Sequence, residues 1–187
     1  MKRRHEPSRS RNLPGRHSRD RDAFELVIRA SSRTLFAIAY GVLQDRAEAE
    51  DVVQDAFVKA WKSRWRVRDP DKFPAWLATI ARHRARDVAR RRRSVASEDE
   101  LGETPDPATS EQAGQARAAE MNGHVHAALA ELPETHRVAL SLRYFDALDY
   151  ATIEQTLGLT NGAVRGILGR ALQTMRKRLQ PALASLD

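Results

Sequence analysis

The chain has 187 residues, with 32 Lys and Arg against 25 Asp and Glu, a formal net charge of +7, and no cysteine. That length holds one domain or two small ones, the basic balance points to a polyanionic partner, and the missing thiols exclude disulfides, thiolate metal sites and a cysteine nucleophile. No apolar run approaches the roughly 18 residues of a membrane span, and the basic N-terminus lacks the apolar stretch of a secretory signal, so a cytoplasmic protein without membrane insertion is expected.

Residues 1–21 carry eight Lys and Arg against two acids with almost no apolar residue, the composition of a disordered basic arm. From residue 22 to 93 the pattern is helical. Phe24, Val27, Ile28, Leu35, Ile38, Ala39 and Val42 recur at spacings of three and four. A second helix begins near Ala47, where Asp45 caps and Glu48 follows three residues on, and its apolar face is Val52, Val53, Ala56, Phe57, Ala60 and Trp61. Asp69 and Pro70 mark a turn. A third helix carries Trp76, Leu77, Ile80, Ala81, Ala85 and Val88 and runs into Arg90, Arg91, Arg92 and Arg93. Residues 94–120 reverse the charge, with seven acids against Arg117, and have the Pro, Ser, Thr and Gly content of a flexible acidic linker. A second helical block spans 121–187. The fold expected is all-α, two small helical domains joined by that linker.

Near the C-terminus a short helix at Tyr150–Leu157, a turn of Gly158, Leu159 and Thr160, and a long helix with Val164, Leu168, Ala171, Leu172, Met175 and Leu179 describe a helix-turn-helix. Thr160 or Asn161 caps the long helix. From Asn161 to Pro181 it bears Arg165, Arg170, Arg176, Lys177 and Arg178 and no acid, the charge a major-groove reader needs, although a helical hairpin with a solvated basic face has the same pattern. Arg82, Arg84, Arg86 and Arg90 to Arg93 form a second basic run behind Trp65, Phe73 and Trp76, as single-stranded nucleic acid binding requires. Trp76 keeps helical spacing with Ile80 and reads as core. Asp51 and Asp55 share a helix face without a third ligand, so they offer a surface for a basic partner or a solvated face rather than a metal site. The six histidines are scattered, and no phosphate loop or catalytic triad occurs. Neither enzyme activity, metal nor cofactor is expected.

The run Ala49-Glu50-Asp51-Val52-Val53-Gln54-Asp55-Ala56-Phe57-Val58-Lys59-Ala60-Trp61, followed by Phe73-Pro74-Ala75-Trp76-Leu77 and Ile80-Ala81-Arg82, resembles region 2 of bacterial sigma-70-type factors of the extracytoplasmic-function group. Leu132-Pro133, His136-Arg137, Leu148 to Tyr150, Leu157-Gly158-Leu159, Gly162-Ala163-Val164-Arg165 and Arg170-Ala171 resemble region 4. The resemblance implies a promoter-specificity subunit that binds core RNA polymerase, through the beta-prime clamp helices and the beta subunit, and promoter DNA. An anti-sigma factor is a further partner the family often has. Carried over residue by residue, Asp51, Gln54, Asp55 and Phe57 would meet polymerase. Arg66, Arg68, Lys72, Arg82, His83, Arg86 and Arg90 would contact and help melt the -10 element, and Thr160, Asn161, Ala163, Arg165 and Arg170 would read the -35 element. A stand-alone helix-turn-helix regulator is the alternative.

Several positions depart from the family pattern. His83 stands where asparagine is usual, and Glu154 takes a small-residue position between the two helices of the helix-turn-helix, so it must point outward or hold the helices apart. Ile167 and Leu172 replace positions that are often arginine, while Gly166 and Gly169 each cost the second helix about 1 kcal/mol relative to alanine. A weak -35 reader is expected. The acidic linker is expected to shield the basic surfaces before polymerase binds.

Overall fold

The computed structural model describes residues 14–67, 69–96 and 113–184, without the side chains of 14–20, 96 and 113–118. Residues 1–13, the middle of the linker, the last three residues and Arg68 therefore lie outside the described residues. Among the described residues seven α-helices follow one another: α1 (Pro14–Leu43), α2 (Arg46–Ser63), α3 (Phe73–Ala96), α4 (Ala113–Ala130), α5 (Glu134–Leu140), α6 (Tyr150–Leu157) and α7 (Asn161–Ala184). Among the described residues no strand occurs. Helix occupies both ends of the stretch whose composition reads as linker, and α1 starts inside the stretch read as a basic arm.

Local chemistry sets the boundaries. Asp45 caps α2, its carboxylate accepting from the Glu48 amide at 2.9 Å, while the Glu48 side chain turns to Arg92 at 3.3 Å instead of closing a capping box. Between α2 and α3 the chain makes two tight turns, Arg64–Arg66 and Pro70–Lys72, the second capped by Asp69, which accepts from the Asp71 amide. After α5, Ser141–Phe145 widens into a π-turn whose Asp146 amide donates to the Ser141 carbonyl at 3.1 Å. Asp149 caps α6, and Gly158, at φ +66, ends it in the left-handed conformation that turns the chain into α7.

α1, α2 and α3 form a bundle around Leu35, Ala56, Phe57, Ala60, Leu77, Ile80 and Ala81, edged by Phe24, Val27 and Ile28. α4, α5 and α6 clasp α7 in a second bundle. The two bundles do not stand apart. One continuous core runs from Ile38, Val42 and Val52 of the first to Val138, Leu142, Ile153, Val164 and Leu168 of the second. Small residues make the approach possible: Ala37, Ala39, Ala78 and Ala139 lie in this core, and a Cβ on Gly41 would stand 2.8 Å from the Val138 Cα. Only glycine fits where α1 crosses α5 so closely. Arg137 fastens the crossing, donating to the carbonyls of Gly41 (2.9 Å) and Leu132 (2.6 Å).

The segment Arg21–Leu43 of α1 is long and apolar enough, by length and composition only, to cross a membrane. Its apolar content has a packing cause, since α1 is the central helix, touching α2, α3, α5 and the π-turn.

Candidate nucleic-acid and polymerase interface

Arg82, Arg86 and Arg90 lie four apart on α3 and share one face. Glu134, the first residue of α5, sits on the first two of them. Its Oε1 lies 2.9 Å from Arg86 Nε and 2.8 Å from Nη2, and 3.5 Å from Arg82 Nε. Arg82 Nε is buried without a hydrogen-bond partner, so the Arg82 contact is electrostatic only. Burial pushes the Glu134 carboxyl up, but the hydrogen bond and charge of Arg86, followed by the charge of Arg82, outweigh it and hold it below its ordinary value. Arg90, further along the face, is exposed and pairs with Asp87 at 3.2 Å. Arg84 turns the other way and grips Asp55 of α2 at 2.6 Å, and Arg92 reaches Asp45 and Glu48 at the start of α2. His83 is exposed, lining a shallow groove with Asp55, Lys59 and Lys62.

The turns before α3 present aromatic and cationic groups together. Trp65 is 70% exposed. It lines a groove of about 620 Å³ with Phe24, Val27, Arg64, Val67, Pro70 and Phe73. Arg66 and Lys72 are exposed beside it in sequence, whereas Arg64 is folded over the Trp61 ring at 3.9 Å. Trp76 is half-buried against Phe73, as its spacing predicts.

On α2, Asp51 and Gln54 are exposed. Phe57 is not: it is 9% exposed and meets Phe24 edge to face at 6.4 Å. The resemblance carries Phe57 over as a polymerase contact, but the helical period, which already puts it on the apolar face of α2, turns it into the bundle and leaves Val58, 53% exposed, outward.

α6 and α7 form the helix-turn-helix. Thr160 Oγ1 accepts weakly from the Ala163 amide at 3.4 Å. Asn161 and Arg165 lie on one exposed face, Arg165 Nε donating to Asn161 Oδ1 at 2.7 Å and its guanidinium lying 5.1 Å from the Tyr150 ring centre. Glu154 does not push the helices apart; it accepts a hydrogen bond from Asn161 Nδ2 across the turn. Arg170 is exposed, but helical geometry puts it about 140° round from Arg165. It leans toward His136, whose pKa is lowered by burial and by the Arg170 charge. Ile167 is buried, and Leu172 is 40% exposed.

Sequence reasoning placed the basic residues but missed three relationships: Glu134 on the α3 arginines, the Glu154–Asn161–Arg165 chain, and the exposure of Trp65. The first joins residues 48 apart across an unpatterned segment, and nothing linear signals it. Among the described residues no cluster could hold a metal ion.

A bundle with an arginine face and exposed aromatic turn, packed on a helix-turn-helix whose second helix is free of acids, defines a helical nucleic-acid-binding protein. Comparison with known proteins sharpens this. Residues 27–95 match the family model for sigma-70 region 2 and residues 124–175 that for sigma-70 region 4. The RNA polymerase sigma-H factor of Pseudomonas aeruginosa is 34% identical over 173 residues, covering 88% of this chain and 90% of that one. The ECF RNA polymerase sigma factor SigL of Mycobacterium tuberculosis is 33% identical over 150 residues, 78% of this chain and 82% of the relative. Among solved structures, the sigma factor RpoE of Bartonella quintana, crystallised with the anti-sigma factor NepR, has a TM-score of 0.62 at 23% identity, covering 84% of this chain and 97% of that one. CnrH in complex with the cytosolic domain of CnrY has a TM-score of 0.58 at 27% identity, covering 86% and 90%. The chain belongs to the sigma-70 family of RNA polymerase sigma factors, in its extracytoplasmic-function group. It is a sigma factor rather than a stand-alone regulator.

Proposed function

We propose that this sigma factor engages core RNA polymerase through the outward face of α2 and reads promoters with two surfaces, without catalytic chemistry of its own and in the cytoplasm. The unit from 22 to 93 would hold polymerase and the -10 element, the unit from 121 to 187 the -35 element, and 94–120 would connect them. Asp51, Gln54 and Val58 form the polymerase face in this reading, with Asp55 reaching it only by leaving Arg84. Arg82, Arg86, Arg90, His83, Arg66, Arg68 and Lys72 follow the -10 strand, and the groove at Trp65 gives an unstacked base a ring to lie against. Thr160, Asn161, Ala163 and Arg165 face the -35 major groove, with Arg170 reaching the flanking phosphates from its different side of α7. We extend the reading to an anti-sigma partner, the kind of protein with which RpoE was solved.

The observation that carries the proposal is the second helix of the helix-turn-helix, with its cations and no acid from Asn161 to Pro181. Glu134 against Arg86 adds a consequence: in this packing the -10 face is partly covered, so polymerase binding would have to part the two bundles. In vitro transcription with purified core polymerase tests the whole. Promoter-dependent initiation that is lost in Asp51→Arg, with helical content intact, supports it. DNA binding without any polymerase association would sink it.

A further inference from the structure

Resting on the reading of α7 as the -35 helix, we propose that Glu154 is a specificity-determining positioning residue that acts through Asn161 to aim Arg165 at a base edge. Glu154 sits on α6 and reaches over the Gly158 turn, where its Oε1 accepts from Asn161 Nδ2. Asn161 Oδ1 in turn accepts from Arg165 Nε at 2.7 Å. The order of atoms is fixed by chemistry. A carboxylate only accepts and a guanidinium only donates, so the amide between them satisfies both in one orientation and neither in the other. Glu154 thereby fixes which way Asn161 faces.

Arg165 is then held at two points, by Asn161 at Nε and by the Tyr150 ring below its guanidinium, 5.1 Å to the centroid. Tyr150 is itself half-buried against the core, so the platform is anchored. Nη1 and Nη2, the pair that makes two parallel bonds to the O6 and N7 edge of guanine, make no hydrogen bond to another described residue. Holding the fork before DNA arrives removes part of the side-chain entropy lost on binding. A small residue at 154 would leave Asn161 to rotate and Arg165 without that constraint.

The arrangement has a second effect of opposite sign. Glu154 is the one carboxylate in Tyr150–Leu157, and α7 has none, so it places a negative charge against an otherwise cationic DNA-facing surface. It weakens general attraction to phosphate while sharpening base choice. A side chain serving only to hold the fold would affect both in the same direction.

The test uses the full chain, free and as holoenzyme with core polymerase, on a promoter library with a randomised -35 element and on non-specific duplex. Arg165→Ala should erase the preference at one base pair. Glu154→Ala should lower the preference at that same base pair, by about tenfold at most, while non-specific affinity of the free chain is unchanged or higher. Glu154→Gln should keep the preference, because its side-chain oxygen still accepts from Asn161, and thermal melts should show both variants folded. The proposal fails if Glu154→Ala leaves the preference intact while Arg165→Ala removes it, if it alters a different base pair, or if preference and non-specific affinity fall together. If Arg165→Ala changes no preference, the -35 reading of α7 falls, and this proposal with it.

Discussion

Glu134 of α5 and Arg86 of α3 form a two-pronged ion pair, with Nε 2.9 Å and Nη2 2.8 Å from one carboxylate oxygen, and it joins the region 4 bundle to the arginine face of region 2. In the proposed reading, this carboxylate occupies the place that a phosphate of the -10 strand would take on that face. Glu134→Gln should raise the affinity of the free chain for single-stranded -10 DNA about two- to fivefold, the range for a partly exposed pair. The holoenzyme, whose bundles polymerase would have parted in that reading, should change less. Fluorescence anisotropy on both species measures the difference, and equal effects in the two would show that the pair does not mask the face.

The same pair fixes a pH dependence. Because the carboxyl of Glu134 is held below its ordinary value in the closed packing, opening takes up protons. The pair's contribution is complete above the ordinary glutamate range and is lost as pH falls through the lowered value. Acid should loosen the contact between the bundles before it melts the helices. Small-angle scattering across an acid titration, repeated on Glu134→Gln, measures this, and an identical expansion in the variant would assign the effect elsewhere.

Gly41 sets how closely α1 and α5 cross. Gly41→Ala favours the helix by up to about 1 kcal/mol through propensity, but its Cβ would lie 2.8 Å from the Val138 Cα, a backbone atom that cannot turn aside. The expected result is a chain of unchanged helical content and larger radius of gyration. A compact variant would mean that α5 shifts at little cost.

Phe57 and Val58 separate folding from docking. Phe57→Ala empties a buried aromatic site and should cost about 3–5 kcal/mol in chemical denaturation, so its loss of activity says little about docking. Val58→Asp changes a side chain that is 53% exposed and should leave stability within about 0.5 kcal/mol while weakening core polymerase binding. Intact co-purification of Val58→Asp with polymerase would place the docking surface off this face of α2.

Gly169 lies exposed inside α7, where a Cβ would meet nothing within 4 Å, and Gly166 has only the movable Arg170 guanidinium at 3.2 Å. Gly169→Ala should stabilise the protein by about 1 kcal/mol and Gly166→Ala by less. A thermal melt ranks them. A drop in stability for Gly169→Ala would show that α7 needs the flexibility.

The sequence alone determined the all-helical class, the Asp45 cap, the helix-turn-helix and the positions of the cations, because these follow from local rules such as apolar period, a capping carboxylate and the glycine at 158, whereas it did not show that α1 begins at Pro14 or that α3 and α4 reach into the stretch read as linker. The family resemblance was legible for the same reason, since its motifs are contiguous runs. Only the tertiary structure decided what each charged residue faces. Arg82 and Arg86 look alike in the sequence to Arg90, yet two lie under Glu134 and one is exposed. Asp55 looks as available as Asp51 until Arg84 is seen to hold it. The two helical domains read from the sequence are both present, and what the tertiary structure added is the core they share, because Gly41 and the alanines of α1 let α5 approach as closely as a neighbour in the same bundle. Charge is a property of the residue, but its partner is set by packing over tens of residues of intervening chain, and no local pattern encodes it.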